Sequence, residues 1–442
     1  MSKVLGDIAK LQGGYAYKSR DLGLVGLPVV KIGDVTGGGS ISYGTMQKIP
    51  LPIAAETKRF ATSAGDTLIS MTGANVGKVA RVGDDDPEAR INQRVGRFVP
   101  IPEAGYCKDY IHYVVSSKPA YQFFANAAYG SAQPNISGAL IEALPVPGIE
   151  PGTANKIGEM LASLDDKIEL NRRMNETLEE MARALFRDWF VDFGPTRRQM
   201  AIKEEGLATD RAAIMGHAFP PEKATTLAPL FPQKLGDDGL PYGWRKTSLK
   251  SLGNVVTGKT PSTKKPEYYG ADIPFLKIPD MHGKSYVLKT ASMLSALGAS
   301  SQTKKTVPAG SVSVSCIATP GLVVLNHRDA QTNQQINTVV PNNPSHQYFT
   351  FWSCREIASE VMIGGSGGSV FHNMNKTTFE NLEVAFPGND GAALFGKVVE
   401  PLHQKILANE QENQTLAALR DLLLPKLMSG EIRLIESNIE HV

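Results

Sequence analysis

Between Asn155 and Phe186 the chain runs without a proline, and Ile157, Leu164, Asn171, Leu178 and Leu185 recur at every seventh position. That spacing keeps one face of an α-helix turned toward a partner helix. Met160, Met174 and Met181 stand beside it as the second seam position, and the other faces carry Lys, Arg, Glu, Asp and Asn. The pattern returns near the C-terminus as Phe395, Leu402, Asn409, Leu416 and Leu423, with Val398 and Leu419 alongside. The offset is constant at 238 (409 − 171), and the polar Asn recurs in the same third place. A polar residue in a seam fixes register at some cost in stability. Each Asn lies midway along its five seam positions, so antiparallel pairing with ends aligned is expected to bring Asn171 and Asn409 together.

The segments before the two helices repeat as well. Leu5-Gly-Asp-Ile is echoed by Leu252-Gly-Asn-Val, Pro28-Val-Val-Lys-Ile-Gly-Asp by Pro274-Phe-Leu-Lys-Ile-Pro-Asp, Ile91-Asn-Gln-Arg by Thr332-Asn-Gln-Gln, and Leu144-Pro-Val-Pro by Val384-Ala-Phe-Pro. A slowly drifting register over such a span means two domains of one fold. Short β-rich runs such as Asp66-Thr-Leu-Ile-Ser, Gly-rich turns, and later helical stretches from Asp109 and Tyr121 make each domain α+β. The expected architecture is two tandem α+β domains, separated and linked by two long antiparallel coiled-coil helices. Residues 1–148 form the first domain and 149–195 the central helical region. A connector over 196–239 with one or two short helices leads to the second domain, 240–388, and the C-terminal helical region, 389–442. The first helix should stop at Phe193-Gly-Pro, with the glycine as left-handed cap. Trp189, Phe190 and Phe193 there are expected to pack against the neighbouring domain, with a partner-protein contact as the alternative. Pro401 is expected to kink the second helix.

Composition excludes several classes. Forty-six Lys plus Arg against 44 Asp plus Glu leave a formal charge of +2, so any nucleic-acid binding must come from local patches. Cys107, Cys316 and Cys354 are odd in number and lack a CxxC, against both a disulfide framework and a zinc cluster. No apolar run reaches membrane-spanning length and no signal peptide opens the chain, so a cytoplasmic location is expected. Thr72-Gly-Ala-Asn-Val-Gly-Lys-Val has one residue too few between its glycines for a phosphate loop, and Val79 replaces the required hydroxyl. Gly364-Gly-Ser-Gly-Gly-Ser lacks the strand that precedes a dinucleotide turn. The eight histidines form no metal-ligand pair.

Polar residues in turn-rich contexts recur in both halves. Arg90, Asn92, Gln93 and Arg94 correspond to Gln331, Asn333, Gln334 and Gln335; Ser131, Gln133 and Asn135 lie where Ser366, Ser369 and Asn373 lie in the second half. Asn and Gln pair bidentately with adenine and Arg or Lys with guanine, whereas scattered backbone contacts need only positive charge. The candidates for DNA contact are therefore Lys31, Asn75, Lys78, Arg90, Arg94, Ser131, Gln133 and Asn135 in the first domain, and Lys277, Gln331, Gln335, Ser366, Ser369 and Asn373 in the second. Turn capping and strand-edge hydrogen bonding compete for each position. The residues for helix pairing are Ile157, Leu164, Asn171, Leu178 and Leu185 with Leu402, Asn409, Leu416 and Leu423.

The tandem repeat, the run Leu164-Asp-Asp-Lys-Ile-Glu-Leu-Asn-Arg-Arg-Met-Asn-Glu, the following Phe186-Arg-Asp-Trp-Phe-Val-Asp-Phe and the terminal Leu422-Leu-Leu-Pro-Lys-Leu-Met-Ser-Gly-Glu-Ile resemble the specificity subunit of type I restriction-modification enzymes. The resemblance implies two target-recognition domains, each reading one half of a split double-stranded DNA target, and helices that dock two modification subunits. It implies no cofactor and no catalysis in this chain. Adenine methylation with S-adenosylmethionine would belong to the modification subunits, and ATP- and Mg²⁺-dependent translocation and cleavage to restriction subunits. A self-sufficient methyltransferase would carry an Asn or Asp-Pro-Pro-aromatic signature, and Asn343-Pro-Ser-His is the nearest approach. A coiled-coil scaffold without DNA affinity leaves the duplicated domains unexplained.

Overall fold

The computed structural model describes residues 3–37, 39–44, 46–128, 135–206, 208–317, 319–363 and 374–434. It divides into two compact units, residues 1–169 with 414–442, and residues 170–413. Each unit contains one copy of the same sheet arrangement.

In the first unit a five-stranded sheet has the order Ala9–Gly13, Val95–Pro100, Thr67–Ser70, Val79–Arg81, Gly39–Ser40, beside a three-stranded sheet of Lys48–Ile49, Leu27–Val30 and Arg90–Ile91. In the second unit the corresponding orders are Gly253–Thr257, Ile336–Pro341, Val312–Ser315, Val323–Asn326, Tyr286–Val287, and Ser292–Leu294, Tyr269–Leu276, Gln331–Thr332. The echoed sequences thus fold alike. Strand alternation supplies two cores. In the first unit Ile69 and Phe98 face a cluster with Tyr110, Ile111 and Phe124, while Leu68 and Val95 face Val30, Ala80 and Ile91. Tyr110 and Ile111 belong to the helix Lys108–Ser116, which is followed by Lys118–Ala128. The strand pair Arg245–Ser248 and Glu383–Phe386 closes the second domain, and the same place in the first holds a single bridge, Val4 to Pro145.

The helices Pro151–Phe190 and Gly388–Ser429 run 40 and 42 residues. Helix continues through Pro401, which is exposed, as is Lys397, whose carbonyl the proline cannot serve. Water can meet that carbonyl instead. The first helix ends at Phe190, and the left-handed residue is Phe193 (φ 54°) rather than the glycine expected. Gly194 is needed for space, because a Cβ there would lie 2.0 Å from Asp188 Oδ1. Trp189 and Phe190 are buried among Phe231, Phe349 and Phe395. Among the described residues the connector holds three α-helices, Gly194–Glu204, Arg211–Ile214 and Pro221–Leu227, where one or two were expected, and places Met215, Leu227 and Phe231 in that core.

The seam departs from expectation twice. Its second line lies four residues after the first, not three: Leu161, Ile168, Asn175, Ala182 and Trp189 are buried, whereas Met181 is 50% exposed. The counterparts 238 residues on include Val399, Ile406 and Leu427, also buried. Asn, Ala and, in the second helix, Arg420 interrupt this line and conceal it from a search for apolar repeats. Moreover, Asn171 and Asn409 do not hydrogen-bond with each other. Asn171 Nδ2 donates to Asn413 Oδ1 at 2.9 Å and Glu412 Oε2 at 2.8 Å, and Asn409 Nδ2 donates to Asn175 Oδ1 at 2.8 Å. Pairing is antiparallel but slipped by four residues from aligned ends, one turn or about 6 Å. Because Asn175 and Asn413 are themselves repeat partners, the two amide contacts are one interaction seen from either helix.

A buried amide left without its partner costs about 1–3 kcal/mol. Asn409→Ala, which strands the amide oxygen of Asn175, should therefore lower the melting temperature. Replacing Asn171, Asn175, Asn409 and Asn413 together with Leu should raise it while broadening spin-label distances across the helix pair. A single variant that melts like the parent chain would contradict a register-setting role.

Candidate nucleic-acid interface

Both domains build the same surface from the end of their first strand and one tight turn. In the first domain the turn Asn92–Arg94 joins Arg90–Ile91 to Val95–Pro100; in the second, Asn333–Gln335 joins Gln331–Thr332 to Ile336–Pro341. The backbone of Asn92 donates to Val30 O at 3.0 Å, and that of Asn333 to Leu276 O at 3.1 Å. Met71 N donates to Arg94 O and Cys316 N to Gln335 O, both at 2.9 Å. Ile136 N then reaches Met71 O at 3.0 Å, and Met374 N reaches Cys316 O at 3.2 Å. These bonds bring Arg94 and Asn135, both exposed, to one loop cluster.

Glycine is obligatory where the strand meets the turn. A Cβ on Gly14 would lie 2.2 Å from Asn92 O, and one on Gly258 2.1 Å from Asn333 O. Sequence reasoning missed this pair, although their spacing of 244 (258 − 14) falls within the repeat drift. A second glycine pair attaches each domain to its own helix. A Cβ on Gly158 would meet Tyr110 N at 2.5 Å, and one on Gly396, 238 residues later, Ser345 O at 2.6 Å.

Several candidates are committed to the interior. Arg90 is 2% exposed, and its guanidinium donates to Ala54 O at 2.9 and 3.2 Å and to Glu88 at 2.6 Å. Gln331 is fully buried and does the same work in the second domain, donating to Ala299 O at 3.0 Å and Thr306 Oγ1 at 2.8 Å. Neither is available to a DNA base, which corrects their reading as contact residues. Lys31 and Lys277 are half-buried: each main-chain N–H is capped by an aspartate, Asp34 at 2.7 Å and Asp280 at 2.9 Å. Their ammonium groups are held by Gln47 and by Ser292 Oγ, the latter at 2.9 Å. Asn75 and Lys78 bond one another at 2.9 Å, and Asn75 also donates to Ile32 O at 2.9 Å. Gln335 is half-buried and accepts from Asn333 Nδ2 at 3.0 Å. Ser131, Gln133, Ser366, Ser369 and Asn373 lie outside the described residues.

In the helix pair, Ile157, Asn171 and Asn409 are buried, and Leu164, Leu178, Leu185, Leu402, Leu416 and Leu423 are half-buried. Polar contacts add to this seam. Arg420 reaches Asp165 at 2.5 Å in the first unit, where Tyr113 OH also donates to Asp165 at 2.6 Å. In the second, Arg355 reaches Glu179 at 2.6 Å, and Glu410 accepts from the backbone of Ser285 at 3.3 Å. Burial raises the Glu410 carboxyl to about 7. Burial also lowers His112 to about 4 and His403 to about 3, so both imidazoles are neutral supports; His403 accepts from Trp352 Nε1 at 2.9 Å. Among the described residues no group of three His, Cys, Asp or Glu could hold a metal ion, and no helix is long and apolar enough to cross a membrane.

The model of the type I restriction modification DNA specificity domain matches residues 1–180 and 241–418, one match over each repeat. The chain belongs to that family. It is 38% identical over 310 residues to the HindI specificity subunit of Haemophilus influenzae, covering 63% of this chain and 67% of that protein. It is 22% identical over 347 residues to the MjaIX specificity subunit of Methanocaldococcus jannaschii, covering 76% and 72%. The crystal structure of a type I restriction-modification S subunit from M. genitalium shares the fold, with a TM-score of 0.55 at 14% identity over 97% of this chain and 96% of that one.

Arg90, on the strand before the first domain's turn, is buried, whereas Arg94, on the turn itself, is exposed. Arg90→Ala leaves the Ala54 carbonyl without its donor and should cost about 1–3 kcal/mol of stability. Arg94→Ala should leave the melting temperature unchanged and weaken DNA binding by the assembled complex. Equal melting of both variants would contradict the assignment.

Proposed function

We propose that this chain gives a type I restriction-modification complex its address, each recognition domain reading one half of a split double-stranded DNA target. One observation carries the reading: a single scaffold occurs twice, matched bond for bond, while side chains on its turns differ, as with the exposed Arg94 and the half-buried Gln335. Identical frames with different side chains suit the reading of two different half-sites. The paired helices dock two modification subunits, which methylate adenine using S-adenosylmethionine; restriction subunits, joined through the complex, supply the ATP- and Mg²⁺-dependent translocation and cleavage. The chain itself contributes recognition, without cofactor, in the cytoplasm.

The helices also set the gap between the half-sites. From Ile157 to Leu185 the seam rises about 40 Å at about 1.5 Å per residue, against about 34 Å for a turn of B-DNA. The amide contacts place Leu178 across from Ile406, so matched insertions belong after Leu178 and after Lys405. Four residues in each helix add about 6 Å and little more than one full revolution, which keeps the seam nearly continuous. Mapping of methylated bases should then show a spacer longer by about one or two base pairs with unchanged half-sites. An insertion variant that assembles and methylates only the original spacing would refute this role.

A further inference from the structure

Because the two domains share their frame, exposed side chains that spring from matched points differ in chemistry rather than in scaffolding. The residue after the obligatory glycine is such a point. Tyr15 N donates to Ile91 O and Lys259 N to Thr332 O, both at 2.9 Å, one residue past Gly14 and Gly258. Tyr15 is 42% exposed, and Lys259 is exposed.

Their neighbours differ in the same sense. In the first domain the short turn Lys58–Phe60 brings the Phe60 ring within 5.5 Å of Tyr15, whose other neighbour is Tyr17 at 4.9 Å. In the second domain the matching turn Thr303–Lys305 supplies Lys305, whose ammonium donates to Thr257 O at 2.9 Å, two residues before Lys259. An aromatic pair in one domain thus stands where a lysine pair stands in the other. Both lie at the strand end against the turn that carries Gln93 and Arg94, or Gln334 and Gln335. Tyr15 and Lys259 escape any search for recurring motifs because they do not recur.

We propose that Tyr15 and Lys259 are DNA contacts of unlike kind: Tyr15 lays its ring on a nucleotide of the first half-site, and Lys259 neutralises a backbone phosphate at the second. The proposal rests on the reading of both domains as DNA-binding. Phe60 and Tyr17 hold the Tyr15 ring in place, so little rotamer freedom is lost when a base or deoxyribose covers it. An uncharged ring releases no counterion from the duplex, whereas each lysine on a phosphate contributes about 0.9 to the slope of log affinity against log salt. Salt therefore separates the two contacts.

The test measures binding of the assembled complex of this chain and its modification subunits to a duplex carrying the mapped target, across a salt series. Lys259→Ala should reduce the slope by about one, with a deficit that shrinks as salt rises. Tyr15→Ala should weaken binding by about tenfold at every salt with the slope unchanged, Tyr15→Phe should bind as the parent does, and Tyr15→Lys should steepen the slope by about one. Lys259→Ala and Tyr15→Phe should melt with the parent chain, and Tyr15→Ala and Tyr15→Lys slightly below it, since they lose the ring contacts with Tyr17 and Phe60. Parent affinity for Tyr15→Ala, or an unchanged slope for Lys259→Ala, would overturn the proposal while leaving the recognition reading intact. No target binding by the parent complex would overturn both.

Discussion

An amide buried between two helices must find its partner across the seam, and four asparagines meet as two pairs in only one register. Asn171 with Asn413, and Asn175 with Asn409, bond at 2.8–2.9 Å around the middle of the helix pair. Sliding either helix by a turn would leave one asparagine pair in place of two, Asn171 facing Asn409 or Asn175 facing Asn413, where unmet polar groups are costly. Leucines alone would tolerate such a slip. The amides therefore decide which residues meet elsewhere along the seam: Leu161 with Leu423 and Leu427 in one unit, Trp189 with Phe395 in the other. Each domain is then joined to its own helix through a glycine, Gly158 or Gly396, that admits a backbone where a side chain would collide.

On that frame, conserved geometry and variable chemistry are kept apart. The donors that support the turn from inside, Arg90 and Gln331, differ in sequence yet perform one task, since both reach the carbonyl of an alanine in the preceding helix. Gly14 and Gly258 are identical because the approach of the turn carbonyl leaves no choice. Residues outside these constraints, Tyr15 against Lys259, are free to differ. A subunit that gives an enzyme its address needs this division, for a new target should alter exposed side chains without altering the fold.

Much of this was legible in the sequence because periodicity and repetition are local or additive signals. The heptads of Ile157 and Phe395, the common offset of 238 and the echoed Lys-Ile-Gly-Asp and Lys-Ile-Pro-Asp are visible without coordinates. The register was not. Asn175 and Ala182 lack the apolar bulk that marks a seam position, so periodicity alone points to the methionines, and the midway asparagines to aligned ends. Burial of arginine was equally hidden: the partner of Arg90 is a carbonyl 36 residues away, and only the folded chain brings the two together. Lys31, Asn75 and Lys78 carry the polarity expected of a DNA contact but spend it on neighbours within their own domain.

Two repeats with separate reading surfaces make one demand above all others, that half of the target can be changed alone. Exchanging residues 1–148 for the corresponding domain of a relative with a different target, then mapping methylated bases in cells carrying the whole system, measures this directly. The result expected is a new sequence in one half-site, with the other half-site and the spacer unchanged. A change in both half-sites, or an unaltered target, would contradict the account.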